Sequence, residues 1–375
     1  MTALGKARHF DVIMMLTAAA LVAYGALLIY SASLSAYPDG IAGLSHPVAR
    51  HIAFALGGFA IALLVAWADY RLFGQIAPVL YAIALVLLVV VLFVGESAYG
   101  SRRWIPLFGT PVQASEVAKL LTIVVLAKFL ADRRLEIGKA STFLTSIAIA
   151  ALPTALVLVE PDMGTAIIFG AIWLGMIIAA GARPQHILSF LAFLVLFIPF
   201  ATLAVMGDYQ RERIALFLNP NLDPLGGGFN ILQAEIGVGS GGLTGTGLTE
   251  GTQTQLDFLQ TPTTDYIFSV LGEELGLVGA LILFALFILL LFRGLRVAKA
   301  AHDPFGQLLA TGIVIFILLQ VFINVAVNIR LLPVTGIPLP FISLGGSSLL
   351  TLFLALGLLQ SVLLRHKSID FRSRL

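Results

Sequence analysis

The chain has no cysteine, so no disulfide can hold it together and nothing can be read about a redox compartment. Charge is almost as scarce: Asp, Glu, Lys and Arg make up 11% of the 375 residues. There is no internal repeat and no stretch that reads as a separate soluble domain. The first apolar run, residues 12–30, follows the short basic segment MTALGKARHF. It is too long for a typical signal core and no clear cleavage site follows it, so it is expected to be retained as a first span. What is abundant is apolar, at 59% of the chain. Runs near 20 apolar residues match a hydrocarbon core roughly 30 Å thick. Within lipid the backbone must satisfy its own hydrogen bonds, so the reading is an all-α polytopic membrane protein, a single integral domain over residues 1–375.

Ten spans are expected, at residues 12–30, 52–68, 76–94, 117–131, 143–159, 165–180, 187–206, 266–292, 308–327 and 347–364. With the N-terminus in the cytoplasm, the outer segments hold only Arg50, Arg102, Arg103, Arg211, Arg213 and Arg330. Lys119 lies within a span, which leaves 15 of the 22 Lys and Arg on the cytoplasmic side. That bias supports ten spans with both termini inside. One outer loop, residues 207–264, is far longer than the rest, and loops of that length without regular structure are often functional. Within it Gly237–Gly242 matches G-x-G-x-x-G, but without the strand–turn–helix context a dinucleotide site needs; turn-permitting glycine is the better reading.

Four clusters stand out. Tyr99–Leu120 holds Arg102, Arg103 and Trp104 beyond the third span and Ser115, Glu116 and Lys119 at the start of the fourth. Arg102 and Trp104 read either as an interfacial anchor or as a binding surface, and Ser115 as a cap. Glu116 and Lys119, three apart, share a helix face, and an ionisable group inside a span is by default a functional hypothesis. In Val159–Ala166, Pro161 and Gly164 make a tight turn, with Glu160 and Asp162 exposed or capping the next helix. In Asn324–Ser348, Pro333, Pro338 and Pro340 forbid a regular helix, and broken backbone at a membrane edge must be covered or line a wet cavity. In residues 260–276, Asp265 can cap the eighth span, as can Thr263 or Thr264, or it can accept a proton from an incoming hydroxyl. Capping would keep it ionised but weakly basic. Glu273 and Glu274 come just before an apolar run and are placed near the outer interface.

These clusters, in this order, closely resemble the SEDS family (shape, elongation, division and sporulation proteins). The matching residues are Arg103-Trp104, Gln113-x-Ser115-Glu116-x-x-Lys119, Pro161-Asp162-x-Gly164-Thr165, Asp208-Tyr209-Gln210 with Arg213, Asn230-x-x-Gln233, Thr264-Asp265-Tyr266, Glu273-Glu274-x-Gly276 and the run from Leu339 through Ser343 to Ser348. The run Pro333–Pro338 resembles the elongation branch, RodA, more than the division branch, FtsW. Departures are Ala114 for a common proline, Gln260–Thr263 for charged residues, Tyr266 for Phe and Leu344 for an aromatic.

The resemblance implies a peptidoglycan glycosyltransferase that polymerises lipid II on the outer face of the bacterial cytoplasmic membrane. It implies Asp265 as the essential acid, with Arg103, Trp104, Glu116 and Lys119 lining the substrate cavity. A class B penicillin-binding protein, a transpeptidase, would be the partner, with other elongation-complex proteins nearby and no nucleic acid. On chemical grounds Asp265 is the expected base and Arg103 and Lys119 the pyrophosphate ligands, with Arg50 and Arg213 as further candidates and Glu116 positioning Lys119. Gln233, Asp162 and Ser343 join the substrate-binding set through their motifs. No protein metal cluster is visible, though a divalent cation (Mg or Mn) bridging the pyrophosphate is chemically reasonable. A lipid II transporter, with Gln320, Asn324 and Asn328 lining a path, and a scaffold that only activates its partner are the rival readings.

Overall fold

A computed structural model describes residues 9–37, 40–41, 43–98, 101–107, 110–205, 207–224 and 226–365. The helices, in chain order, are α1 (Val12–Ser33), α2 (Pro47–Trp67), α3 (Tyr70–Gln75), α4 (Ala77–Val94), α5 (Ala114–Asp132), α6 (Ala140–Val159) and α7 (Met163–Ala179). They continue with α8 (Pro184–Val205), α9 (Asp208–Leu218), α10 (Gly227–Ser240), α11 (Thr252–Gln255), α12 (Ile267–Ala300), α13 (Pro304–Asn328) and α14 (Gly346–Leu364). Each of the ten expected spans falls on one of these. Seven are long and apolar enough by themselves to cross a membrane, and α7 and residues 184–197 of α8 are shorter apolar segments. The tenth, α5, carries buried charge, and its 19 residues still reach about 28 Å at the helical rise.

The starts follow local chemistry. Asp11 caps α1 through the Met14 amide, and Asp303 caps α13 through the Gly306 amide, with Pro304 at the first helical position where its missing N–H costs nothing. Exposed Leu56, Phe93 and Leu196 lie on helices whose outward faces are apolar, as lipid contact requires. The densest packing runs along α5, α13 and α14, where Ile123, Phe316, Leu352 and Leu356 are fully enclosed.

Two features depart from the expectation. Residues 96–113 are not a plain connection: β1 (Glu96–Ala98), β2 (Ser101–Leu107) and β3 (Thr110–Gln113) form a three-stranded antiparallel sheet, with Trp104 opposite Gln113 and Leu107 opposite Thr110. The long loop also contains regular structure, in α9, α10 and α11.

The eighth span is broken. Gly276 has φ 61° and ψ −157°, a conformation open to glycine, and a side chain there would fall 2.4 Å from the Gly245 nitrogen. In an unbroken helix the amides of Leu277 and Val278 would bond to the carbonyls of Glu273 and Glu274. Here the long loop takes both sides of that gap. Thr246 and Gly247 amides donate to the Glu273 and Glu274 carbonyls at 3.0 and 3.1 Å, and the Leu277 and Val278 amides donate to Gly242 and Leu243, each at 3.0 Å.

Both acids before the break are enclosed in protein rather than placed at an interface. The Glu273 carboxylate accepts from the Gln253 amide at 2.8 Å and from Thr254 and Thr252 hydroxyls at 3.0 and 3.2 Å, which pins α11. Glu274 accepts from Ser31 Oγ at 2.5 Å, and Gln255 Nε2 donates to the Ser31 carbonyl at 3.1 Å, which ties the loop to α1.

Candidate active site

The loop, the sheet and the broken segment after α13 enclose a cavity of about 800 Å³. Three arginines line it: Arg50 from α2, Arg103 from β2 and Arg213 from α9, together with Trp104 and Asp265. A cavity lined by three guanidinium groups and two acids, Asp265 and Glu212, has a net basic lining that suits an anionic ligand.

Asp265 is not a helix cap. Tyr266 holds that position, and no side chain caps α12. Its main chain is fastened from three directions instead. Asn324 and Asn328, one helical turn apart on α13, donate to the Asp265 carbonyl at 3.1 and 2.9 Å. Ser343 Oγ donates to the Thr264 carbonyl at 2.6 Å while accepting from the Leu339 amide at 2.8 Å. The Leu344 amide donates to Thr263 at 2.9 Å. Burial raises the Asp265 carboxyl above the usual carboxylate range, and Arg213 and Arg103 oppose that rise. The weak basicity that capping would have imposed is therefore avoided.

Arg103 is buried and held from behind by the turn between α6 and α7. Its Nη2 donates to the Pro161 carbonyl at 2.7 Å, and its Nη1 lies 3.7 Å from Asp162 Oδ2. Asp162 caps α7, accepting from the Thr165 amide and hydroxyl at 3.0 and 2.9 Å. That turn fits under the segment after α13 because residue 164 is glycine: a side-chain carbon there would meet Thr335 Cβ at 2.6 Å. At the cavity, a side-chain carbon on Gly336 would lie 3.9 Å from both Arg103 Nη1 and Asp265 Oδ2, which brings acid and guanidinium to the same part of the lining. Arg213 Nη1 donates to the Val334 carbonyl at 2.9 Å. The Arg50 side chain is exposed, with no hydrogen bond or ion pair among the described residues.

Several residues expected to line the cavity stand elsewhere. Lys119 and Glu116 are buried on α5 and bonded to each other at 2.8 Å, with the Lys119 ammonium 5.2 Å above the Phe316 ring. Gln320 Nε2 donates to the same carboxylate at 3.4 Å. The pair faces α13 rather than the opening, so Lys119 does not reach the lining. Asp162 and Ser343 support the lining from behind. Gln233 is outside it, while Asn230, a turn earlier on α10, lines it and accepts from the Gln260 amide at 3.3 Å. Glu160, read as exposed or capping, is buried. Ser115 caps nothing, and its hydroxyl has no partner among the described residues.

Asn324 and Asn328 were placed on a transport path; their spacing of four on one helix face was the available signal that they work together. Among the described residues no group of three or more His, Asp or Glu stands together as a metal site.

Seven membrane-length apolar helices among the described residues, with shorter apolar ones beside them and a basic, acid-bearing cavity walled by a long loop, define a polytopic membrane protein. The chain belongs to the FtsW/RodA/SpoVE family of cell cycle proteins, whose model matches residues 11–368. It is 38% identical over 364 residues to peptidoglycan glycosyltransferase MrdB of Escherichia coli (strain K12), covering 96% of this chain and 95% of that protein. It is 39% identical over 372 residues to the probable peptidoglycan glycosyltransferase FtsW of Geobacter metallireducens, covering 97% of each. Its fold matches, with a TM-score of 0.80 and 30% identity over 94% of this chain and 97% of the other, a chain from a peptidoglycan synthase complex that coordinates polymerization and crosslinking.

Proposed function

We propose that the chain is a peptidoglycan glycosyltransferase that polymerises lipid II on the outer face of the bacterial cytoplasmic membrane during cell elongation. The observation that carries this reading is Asp265, held by Asn324 and Asn328 and standing with Arg103 at the cavity beside Gly336. The acceptor hydroxyl oxygen attacks the anomeric carbon of the donor sugar. A new carbon–oxygen bond forms as the bond to the pyrophosphate breaks, with inversion, and the lipid pyrophosphate leaves with the bonding electrons. Asp265 receives the hydroxyl proton, and Arg103, Arg213 and Arg50 meet the charge that develops on the leaving group. Trp104, half-buried at the rim, offers an apolar face to a sugar or prenyl unit.

Glu116 and Lys119 enter as a buried positioning pair beneath the site rather than as pyrophosphate ligands. A divalent cation, Mg or Mn, would be carried by the substrate's pyrophosphate, and no step here runs through it. The partner is a class B penicillin-binding protein with other elongation-complex proteins, a reading supported by the likeness to a chain of a synthase complex. The elongation role rests on the run Pro333–Pro338. The transporter reading loses support, because Asn324 and Asn328, its path residues, are engaged in holding Asp265.

The test is glycan synthesis from purified lipid II, with the transpeptidase partner present. Asp265→Asn, folded by thermal unfolding, is expected to lose ~10²–10⁴-fold in rate. Full polymerisation by that variant would remove the base from the mechanism.

A further inference from the structure

The turn behind Arg103 contains a second acid that the mechanism above does not use. Glu160 follows the last residue of α6 and is 2% exposed. Neither of its carboxyl oxygens has a hydrogen-bond partner among the described residues. Its main-chain carbonyl faces Arg103 Nε at 3.5 Å, beside the stronger bond from Arg103 Nη2 to Pro161 at 2.7 Å. Asp162, two residues on, is buried to the same degree but fully occupied: it accepts two bonds from Thr165 and faces Arg103 Nη1. Two acids thus flank one guanidinium in opposite environments. Both oxygens of Asp162 accept hydrogen bonds, while the Glu160 carboxyl is bare.

We propose that Glu160 is a positioning residue that acts as a neutral acid, keeping its proton behind Arg103 so that the guanidinium presents its charge to an anionic ligand in the cavity.

With Glu160 neutral, the Glu160–Asp162–Arg103 set has no net charge. With Glu160 ionised, it carries one negative charge at the back wall of an anion site. A buried carboxylate without hydrogen bonds is strongly disfavoured, so the proton is retained. Burial pushes the carboxyl up to about 8; Asp162 adds to the rise and Arg103 opposes it. Asp162, from the same turn, and Arg103, from β2, are the charged groups that act on Glu160 among the described residues. The segment after α13 brings Thr335 and Ile337 against Gly164 in the turn. Asp265, Arg213, Glu212 and Arg50 are the other charged residues lining the cavity, and Asp162 also acts on Asp265.

This inference rests on the reading that Arg103 binds the pyrophosphate, and the experiment separates the two. Lipid II polymerisation by wild type, Glu160→Gln and Arg103→Gln is measured from mildly acidic to alkaline pH, with kcat and KM resolved. In wild type, KM for lipid II is expected to rise on the alkaline side with a midpoint near 8, the value to which burial moves Glu160. Glu160→Gln is expected to keep neutral-pH activity within about two-fold and to lose that alkaline rise. A folded Glu160→Gln that retains the wild-type rise, or is inactive at every pH, overturns the proposal. Glu160→Met serves if the amide variant does not fold, and misfolding of both overturns the proposal, because a neutral acid is replaceable by a neutral group. Unchanged KM and kcat in Arg103→Gln would instead overturn the role of Arg103 itself.

Discussion

As the proposed base, Asp265 has a main chain held by hydrogen bonds from α13 and a carboxyl that is not engaged in capping. The Asn324 and Asn328 amides meet one carbonyl, so removing either leaves the other bond in place. Asn328→Ala also frees the Ser269 amide and hydroxyl, which donate to its Oδ1 at 3.0 and 2.7 Å. Asn328→Ala is therefore expected to cost about 1–3 kcal/mol of stability, seen in thermal unfolding, and to lower kcat more than it raises KM, because it loosens the base rather than the anion site. The pH profile carries a second expectation. The base must be ionised, and burial raises its carboxyl, so activity should fall with acidification at a pH above the ordinary carboxylate range. The measurement is kcat/KM against pH, and a limb at the ordinary carboxylate value would contradict the buried setting. None of this fastening was visible when Asp265 was read from its neighbours alone. Capping and catalysis were both consistent with a Thr-Asp pair before a span, and the deciding partners are 59 and 63 residues away.

At the scale of elements, the spans were legible because lipid enforces a crude signal, long apolar runs, and each expected run lies on one helix. The interruptions were not legible for the same reason. Gly276 sits in a run that stays apolar on its far side, and one glycine in such a run reads as a tolerated residue rather than a break. The sheet at 96–113 had a faint signal, Phe108-Gly109 between apolar residues, which is a hairpin cue easily lost beside three basic and aromatic residues. Lys119 stands out as a charge within a span, but position on a helix does not say which neighbour it faces, and it packs against Phe316 of α13 rather than entering the cavity lining. The break itself is testable. Gly276→Ala places a side chain against Gly245 and forces a left-handed conformation on alanine, with an expected loss of roughly 1–3 kcal/mol. Limited proteolysis should then cut residues 241–258, since the loop and the broken ladder hold each other. A loop as resistant as in wild type would show that the splint is not needed.

For the whole molecule, the absence of cysteine becomes a tool. The excess of Lys and Arg on alternate connections leads us to propose residues 133–139 on the cytoplasmic side and the long loop on the outer side. Leu135 and Leu222 are both strongly exposed, and neither lines the cavity. In a background with no native thiol, Leu222→Cys is expected to react with a membrane-impermeant maleimide added to intact spheroplasts, and Leu135→Cys only after lysis. The reverse pattern would turn the protein over and put the cavity on the cytoplasmic side, which no polymerase acting outside the cell could tolerate.

The splinted helix also sets an order of events during synthesis. Among the described residues, the carbonyls of Glu273 and Glu274 and the amides of Leu277 and Val278 are met by residues 242–247, which leave the ribosome earlier. The eighth span therefore enters the bilayer with a gap in its ladder that its own residues cannot fill. Until the preceding loop swings back and threads the gap, that region is a defect that lipid penalises. Maturation of this protein should then include a late step, after all the helices are inserted, in which an outer segment docks into a waiting cleft and the base acquires its final position.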